Sequence, residues 1–279
     1  MTSTHSKRLG RTTATAKNFG LITALIRREV VGRYRGSALG IVWSLLTPLF
    51  MLAVYTWVFG TVFQARWVAA PGAAADVAPS TGEFAIILFV GLIVFQLFAE
   101  VVNRAPGLIL ANANYVKKVV FPLEILPVVA LGAALFHAAV SLVVLAGFML
   151  AVHATIPITA LLLPIVLAPF ALLILGLGWF LASLGVYLRD IGQLLGTVVT
   201  ALMFVSPIFF PLSALPEWLR PWVALNPIAL PVELARDVLI FGRAPDLTGI
   251  AVYSLVAALV AALGYMWFQK TRRGFADVV

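Results

Sequence analysis

Four arginines near the amino terminus are the residues best suited to bind an anion: Arg27, Arg28, Arg33 and Arg35. A guanidinium group is a planar set of donors that matches two oxygens of a phosphate at once. Between residues 17 and 36, Phe19, Ile22, Ile26 and Val30 recur at helical spacing, which predicts an amphipathic helix in the headgroup plane of a membrane. The arginines either anchor that helix and fix its topology, or grip an anionic lipid headgroup.

Residue types that carry other chemistry are scarce. The sequence contains no cysteine, which excludes disulfides, thiolate metal sites and cysteine nucleophiles. It contains no Gly-Lys dipeptide, and a nucleotide-binding phosphate loop requires one. If ATP drives this protein, another polypeptide must bind it together with Mg²⁺, and we assign no catalytic residue, metal ligand or cofactor to the chain.

One candidate catalytic set lies between residues 213 and 247. It consists of three carboxylates: Glu217, Glu233 and Asp237. A membrane enzyme that modifies glycans would need paired carboxylates of this kind. Arg220, Arg236 and Arg243 interleave with them, so local ion pairing is the favoured interpretation.

Ionisable side chains inside the membrane are typical of ion-coupled transporters. Glu100 and Glu124 are predicted to lie at helix ends, and His137 is a lone histidine well inside a predicted crossing. Packing or hydrogen bonding is the favoured role for such a histidine, and a proton relay is the alternative. A secondary transporter is therefore poorly supported.

The elements that must position these residues are membrane-spanning helices. Apolar residues make up 62% of the 279 and charged residues 11%, whereas a soluble domain carries about 25% charged residues. A crossing needs roughly 20 residues, so the uncharged stretch 125–188 must hold two. The sequence predicts an all-α membrane protein with six transmembrane helices, at about 38–63, 84–102, 123–151, 158–186, 192–212 and 248–268.

The basic residues give the chain an orientation. Placed against these crossings, 15 of the 19 lysines and arginines fall on one side, and cytoplasmic segments carry such an excess. Both termini are thus predicted to be cytoplasmic, and topology explains the net charge of +8 better than nucleic-acid binding does. The predicted organisation is a disordered arm over 1–16, the interfacial helix over 17–36 and the six-helix domain over 37–279.

The apolar segment from 213 to 247 cannot be one crossing. It contains Pro216, Pro221, Pro227 and Pro231, which prevent an unbroken helix. Short external re-entrant helices between the fifth and sixth crossings are the natural solution, provided that protein or a wet cavity surrounds their broken backbone.

Aromatic residues form a stripe on the first crossing. Trp43, Phe50 and Trp57 are seven apart, and Tyr55 and Phe59 lie beside that face. The rings either stack on sugars along a glycan path or pack against lipid and other helices.

Glycines are predicted to let helices approach closely. They occur as three pairs: Gly36 with Gly40, Gly176 with Gly178, and Gly192 with Gly196.

Three stretches of the sequence resemble one family of transport proteins. They are RREVVGRYRGSALGIVWSLLTPL from residue 27, NYVKKVVFPLEILP from residue 114, and Arg189-Asp-Ile through SPIFFP at 206–211 to Asn226-Pro. In this order they resemble the type-2 permease subunits of bacterial ATP-binding-cassette exporters for polysaccharides such as O antigen, teichoic acid and galactan.

The resemblance implies a homodimer of six-helix permeases in the bacterial inner membrane, with two copies of a cytoplasmic ATPase. The substrate would be a polyprenyl-pyrophosphate-linked glycan whose headgroup enters beside the interfacial gate helix. A glycan is too wide for one six-helix bundle, so its path is expected at the dimer interface. The alternatives are a drug or small-lipid exporter of the same architecture and a membrane glycan-modifying enzyme.

The resemblance also implies a surface that couples the permease to its ATPase. That surface comprises these residues: Arg104, Asn114, Tyr115, Lys117, Lys118, Arg189 and Asp190.

Overall fold

The computed structural model describes residues 20–58, 81–117 and 121–278. Within these ranges the regular elements are helices and no strand occurs. The arm over 1–16, Phe59 of the aromatic stripe and Lys118 of the coupling surface lie outside the described residues.

The α-helices of the described residues are numbered here in chain order. They are α1 (residues 20–34), α2 (Trp43–Trp57), α3 (Thr81–Arg104), α4 (Leu108–Ala111), α5 (Ala113–Lys117), α6 (Ile125–His153), α7 (Leu163–Tyr187), α8 (Ile191–Val205), α9 (Arg220–Ala224), α10 (Ala229–Leu239), α11 (Leu247–Thr271) and α12 (Phe275–Val278). Short 3-10 helices at Gly40–Val42, Ala105–Gly107 and Ile158–Leu162 lead into α2, α4 and α7.

Five helical stretches of the described residues are long and apolar enough to cross a membrane. They are Gly40–Trp57, Gly82–Ala111, Ile125–His153, Ile158–Tyr187 and Leu247–Val278.

The predicted crossing at 192–212 corresponds to α8, which is shorter than predicted. It has 15 residues, and at 1.5 Å per residue it is about 22 Å long, less than the ~30 Å hydrocarbon core of a bilayer. It ends because Ser206 precedes a proline and adopts extended backbone, with ψ 151°. The count of six crossings stays a prediction.

A glycine turn joins α1 to α2. Gly36 has φ +88° and Gly40 has φ +52°, a left-handed backbone that glycine adopts without strain. No described atom lies within 4 Å of a Cβ built at either position. In the described chain these glycines form the turn, rather than the predicted close contact between helices.

Close helix packing occurs instead between α7 and α11. A methyl group at Gly264 would overlap the carbonyl oxygen of Gly176, and one at Gly176 would overlap the backbone of Ala261. The predicted role of Gly176 is therefore confirmed. At Gly178, a Cβ would meet Pro127 at 3.5 Å, an ordinary contact.

The centre of the bundle is α3. Nearly every side chain from Phe84 to Val102 is buried, and α3 packs against α2, α6, α7, α8 and α10. A helix surrounded by protein on all sides is expected to be apolar all round. Glu100 is the one charged residue between Phe84 and Val102, and it marks the candidate site.

Candidate functional site

A buried carboxylate, Glu100, lies at the centre of a group of charged side chains from α1, α3 and α6. The Glu100 side chain is 4% exposed, and its Oε1 lies 3.0 Å from Nη1 of Arg33 and 3.0 Å from Nδ1 of His137. Arg104, one turn further along α3, lies 3.9 Å from the same oxygen and forms a closer ion pair with Glu29 of α1. We call these five residues the Glu100 cluster.

The Glu100 cluster confirms two expectations from the sequence and overturns two. Glu100 lies four residues before the end of α3, near the helix end as predicted, but its carboxylate is buried. His137 is not alone, because its Nδ1 lies 3.0 Å from both carboxylate oxygens of Glu100. The predicted hydrogen-bonding role of His137 is confirmed, and a buried carboxylate is present where none was expected.

Apolar packing of α1 against α6 positions the Glu100 cluster. Leu25 is buried and forms an apolar cluster with Val129. Ile26 fills the space that a side chain at Gly132 would need. Arg33 lies two turns beyond Ile26 on the same side of α1, so this packing brings it to Glu100.

Tyr34 adds a neutral group beside the cluster. Its ring meets that of His137 edge-on, with 6.1 Å between the centroids. Burial raises the pKa of the Tyr34 phenol, and the positive charge of Arg33 partly opposes that effect. Tyr34 is therefore protonated at physiological pH.

The four arginines predicted to bind a headgroup lie in three different environments. Arg33 belongs to the Glu100 cluster. Arg28 donates a 2.7 Å hydrogen bond to the hydroxyl of Tyr115, and its guanidinium carbon lies 5.9 Å from the centre of that ring. Arg27 and Arg35 are exposed and form no ion pair with a described residue. The contact of Arg28 with Tyr115 joins α1 to α5.

The residues predicted to couple to an ATPase fall into two groups. Arg104 belongs to the Glu100 cluster and Tyr115 stacks on Phe121 with 4.4 Å between centroids, so both are held within the fold. Four others are exposed: Asn114, Lys117, Arg189 and Asp190. The 3-10 helix Ala105–Gly107 packs tightly against α7, because Pro106 fills the space that a side chain at Gly185 would need.

Two cavities meet at the Glu100 cluster. The larger, of about 470 Å³, has Ser44 of α2 and Ser141 of α6 among its polar lining. The smaller, of about 340 Å³, lies between α3 and α8 and is lined by Asn103 and Thr200. Five residues line both: Arg33, Phe95, Gln96, Glu100 and Met203. Arg33 is therefore accessible from two sides.

The structure splits the aromatic stripe of α2. Trp43, Phe50 and Trp57 are exposed on the outside of the described chain. Tyr55 instead lines the 470 Å³ cavity and is partly buried. The assignment of the stripe to a glycan path stays a prediction.

A buried arginine on α10 holds the segment 213–247 against the bundle. The Arg236 side chain is 1% exposed and donates to the carbonyl oxygens of Ile87 (3.1 Å), Pro207 (2.5 Å) and Ile208 (2.8 Å). Two of these carbonyls follow the end of α8, where a broken helix leaves acceptors unpaired. Burial lowers the pKa of Arg236 to about 10, so it is protonated at neutral pH. Sequence patterns did not reveal this role, because the acceptors are backbone atoms.

The three carboxylates between residues 213 and 247 do not form an unpaired acidic set. Glu233 accepts a hydrogen bond from Arg236 at 3.3 Å, and Asp237 lies 3.9 Å from Arg243. Glu217 is exposed. The local pairing predicted for this segment is confirmed for Glu233 and Asp237.

Comparison with known proteins gives one consistent picture. Residues 20–240 match the family described as ABC-2 type transporter. The O-antigen export system permease protein RfbA of Myxococcus xanthus is 26% identical over 264 residues, which cover 93% of this chain and 95% of the relative. The protein of the same name from Klebsiella pneumoniae is 21% identical, covering 94% and 95%. The polysialic acid transport protein KpsM of Escherichia coli is 26% identical, covering 88% and 92%.

Proposed function

The chain belongs to the ABC-2 type transporter family, and from this premise we propose that it exports a polyprenyl-pyrophosphate-linked polysaccharide across the bacterial inner membrane. It is a permease subunit of an ATP-binding-cassette exporter and not an enzyme. The names of the relatives are the observation that supports a polysaccharide as the exported substrate. Relatives matched over nearly their whole length are named for the export of O antigen or the transport of polysialic acid.

The choice of cargo has a direct test in a deletion strain. Loss of a polysaccharide exporter should leave completed lipid-linked glycan inside the cell, because synthesis continues while export stops. Mass spectrometry of extracted lipids would detect this accumulation. An unchanged pool of lipid-linked glycan would instead favour the drug or small-lipid exporter.

A homodimer with the glycan path between its two permeases is part of the proposal. The exposed side of α8 forms an open groove of about 640 Å³ lined by Gly192, Gly196 and Phe204. Nothing lies within 4 Å of a Cβ built at either glycine, so a second chain has room to approach closely there. The exposed aromatic rings of α2, like the groove on α8, face away from the described chain. They are therefore available to stack on sugars.

In this proposal α1 acts as the gate for the lipid headgroup. Arg27 on its exposed side and Arg35, the first residue after it, attract an anionic headgroup at the membrane surface. Arg33 lies behind them at the two cavities. The contact between Arg28 and Tyr115 links the gate to α5, next to the proposed ATPase-docking surface.

Reversing two exposed charges on that docking surface should release the ATPase. Lys117 and Arg189 form no ion pair with a described residue, so the fold does not depend on them. In the double variant K117E/R189E, we expect at least tenfold less ATPase to co-purify with the tagged permease, a loss of roughly 1.4 kcal/mol of binding free energy, because the proposed docking surface loses two basic contacts and gains two acidic charges.

The matched control for that experiment is R243E. Arg243 is 72% exposed and lies in the external segment, so its reversal should leave ATPase binding unchanged. Wild-type amounts of ATPase with K117E/R189E would contradict the assignment of this surface.

A further inference from the structure

Glu100 occupies the place beside Arg33 and Arg104 that an anionic ligand would take. Arg33 lines both cavities, and its side chain is 42% exposed while that of Glu100 is 4% exposed. Arg104 is 30% exposed and lines the 340 Å³ cavity. The two arginines can therefore turn toward a ligand in that cavity, whereas the carboxylate is held inside the protein.

The departure of Arg33 would not leave Glu100 unpaired. His137 Nδ1 lies 3.0 Å from both of its oxygens. A buried carboxylate without a partner would be strongly unfavourable. His137 therefore remains as a hydrogen-bond partner of Glu100 after Arg33 has moved to the ligand.

We propose that Glu100 is an internal competitor for the pyrophosphate of the lipid substrate. A headgroup that enters the 340 Å³ cavity between α3 and α8 takes Arg33 from Glu100 and Arg104 from Glu29. This inference rests on the proposed function. Pyrophosphate carries more charge and more acceptor oxygens than a carboxylate and can bind both guanidinium groups in bidentate fashion, so it wins the exchange.

The exchange has a structural consequence for the gate. The ion pairs of Arg33 with Glu100 and of Arg104 with Glu29 both join α1 to α3. A ligand that takes both arginines breaks both pairs together. Headgroup binding is thereby coupled to the release of α1 from α3. Asn103 and Thr200 line the same 340 Å³ cavity and provide neutral hydrogen-bond donors for the ligand.

The test is equilibrium binding of radiolabelled farnesyl pyrophosphate to the complete complex of permease and ATPase in detergent. Glu100→Gln removes the competing charge and keeps the shape of the side chain. We expect E100Q to bind about tenfold more tightly than wild type and Arg33→Gln to bind at least tenfold more weakly. Glu124→Gln is the matched control, because Glu124 forms a similar 3.1 Å ion pair with Arg272 outside the cluster, and its affinity should be unchanged.

The affinity of E100Q for the probe, compared with that of wild type, decides whether Glu100 competes with the ligand or only positions Arg33. If Glu100 only positions Arg33, E100Q will bind the probe as wild type does or more weakly, and the competition is refuted while the headgroup role of Arg33 survives. If R33Q also binds as wild type does, the proposed headgroup site itself fails. If E100Q does not assemble with the ATPase, E100D takes its place. Its shorter side chain moves the carboxylate away from Arg33 by the length of one methylene group. A few-fold gain in affinity is then expected, and no gain refutes the competition.

A parallel titration with inorganic pyrophosphate separates a lipid from a free ion. A site for a lipid headgroup should prefer farnesyl pyrophosphate by at least tenfold, because the prenyl chain adds apolar contact area. Equal affinities would overturn the assignment to a lipid-linked ligand.

Discussion

Export should stop, reversibly, when α1 is bridged to α6. The variant L25C/V129C places two thiols where both side chains are buried in one apolar cluster. The natural chain contains no cysteine, so the bridge is the only one this chain can form. If α1 must leave α6 to admit a headgroup, oxidation or a short bifunctional thiol reagent should abolish export of lipid-linked glycan by membrane vesicles, and reductant should restore it after oxidation.

The control for bridging is S183C/T271C, which joins α7 to α11. The two hydroxyl oxygens of the natural side chains lie 2.6 Å apart, so a bridge is sterically accessible there. These helices pack through glycines and are expected to move as one unit, so bridging should leave export unchanged. Full export by bridged L25C/V129C would show that α1 does not open during transport.

The largest effect on stability is expected at Arg236. In Arg236→Gln, the carbonyls of Ile87, Pro207 and Ile208 lose a buried donor, and Glu233 loses its charged partner. Breaking such a buried network costs about 3–5 kcal/mol. We expect R236Q to lose most of its folded yield and to unfold at a clearly lower temperature in detergent.

Arg243→Gln is the matched comparison for R236Q. Arg243 lies on the same segment between α8 and α11, but it is 72% exposed and 3.9 Å from Asp237, so its loss should change stability by less than about 1 kcal/mol. Similar unfolding midpoints for R236Q, R243Q and wild type would contradict the view that Arg236 pins α10 to α3 and to the end of α8.

Local patterns in the sequence predicted helix faces well. The spacing of Ile22, Ile26 and Val30 identified the apolar face of α1, because a period of 3.6 places those residues together. The same pattern could not show that part of this face packs on α6, because lipid and protein are both apolar surroundings. Nor did it predict the early end of α8, since the uncharged stretch runs past Pro207.

The Glu100 cluster was beyond prediction from sequence because it is built from three distant segments. Glu100 and His137 are 37 positions apart, and Arg33 comes from a helix that precedes both. Only the four-residue spacing of Glu100 and Arg104 was visible locally. Such a spacing is common on exposed helices, so it does not signal burial.

Reconstitution into liposomes tests whether the permease and its ATPase together move a lipid-linked glycan across a membrane. The permease and its cassette ATPase would be incorporated together with a fluorescent polyprenyl-pyrophosphate oligosaccharide, and translocation would be measured as accessibility of the sugar to an external glycosidase. We expect translocation that requires ATP, Mg²⁺ and both proteins, and that stops when the phosphate-loop lysine of the ATPase is replaced. Translocation by the permease without the ATPase, or an active complex that leaves the lipid-linked sugar in place, would contradict this expectation.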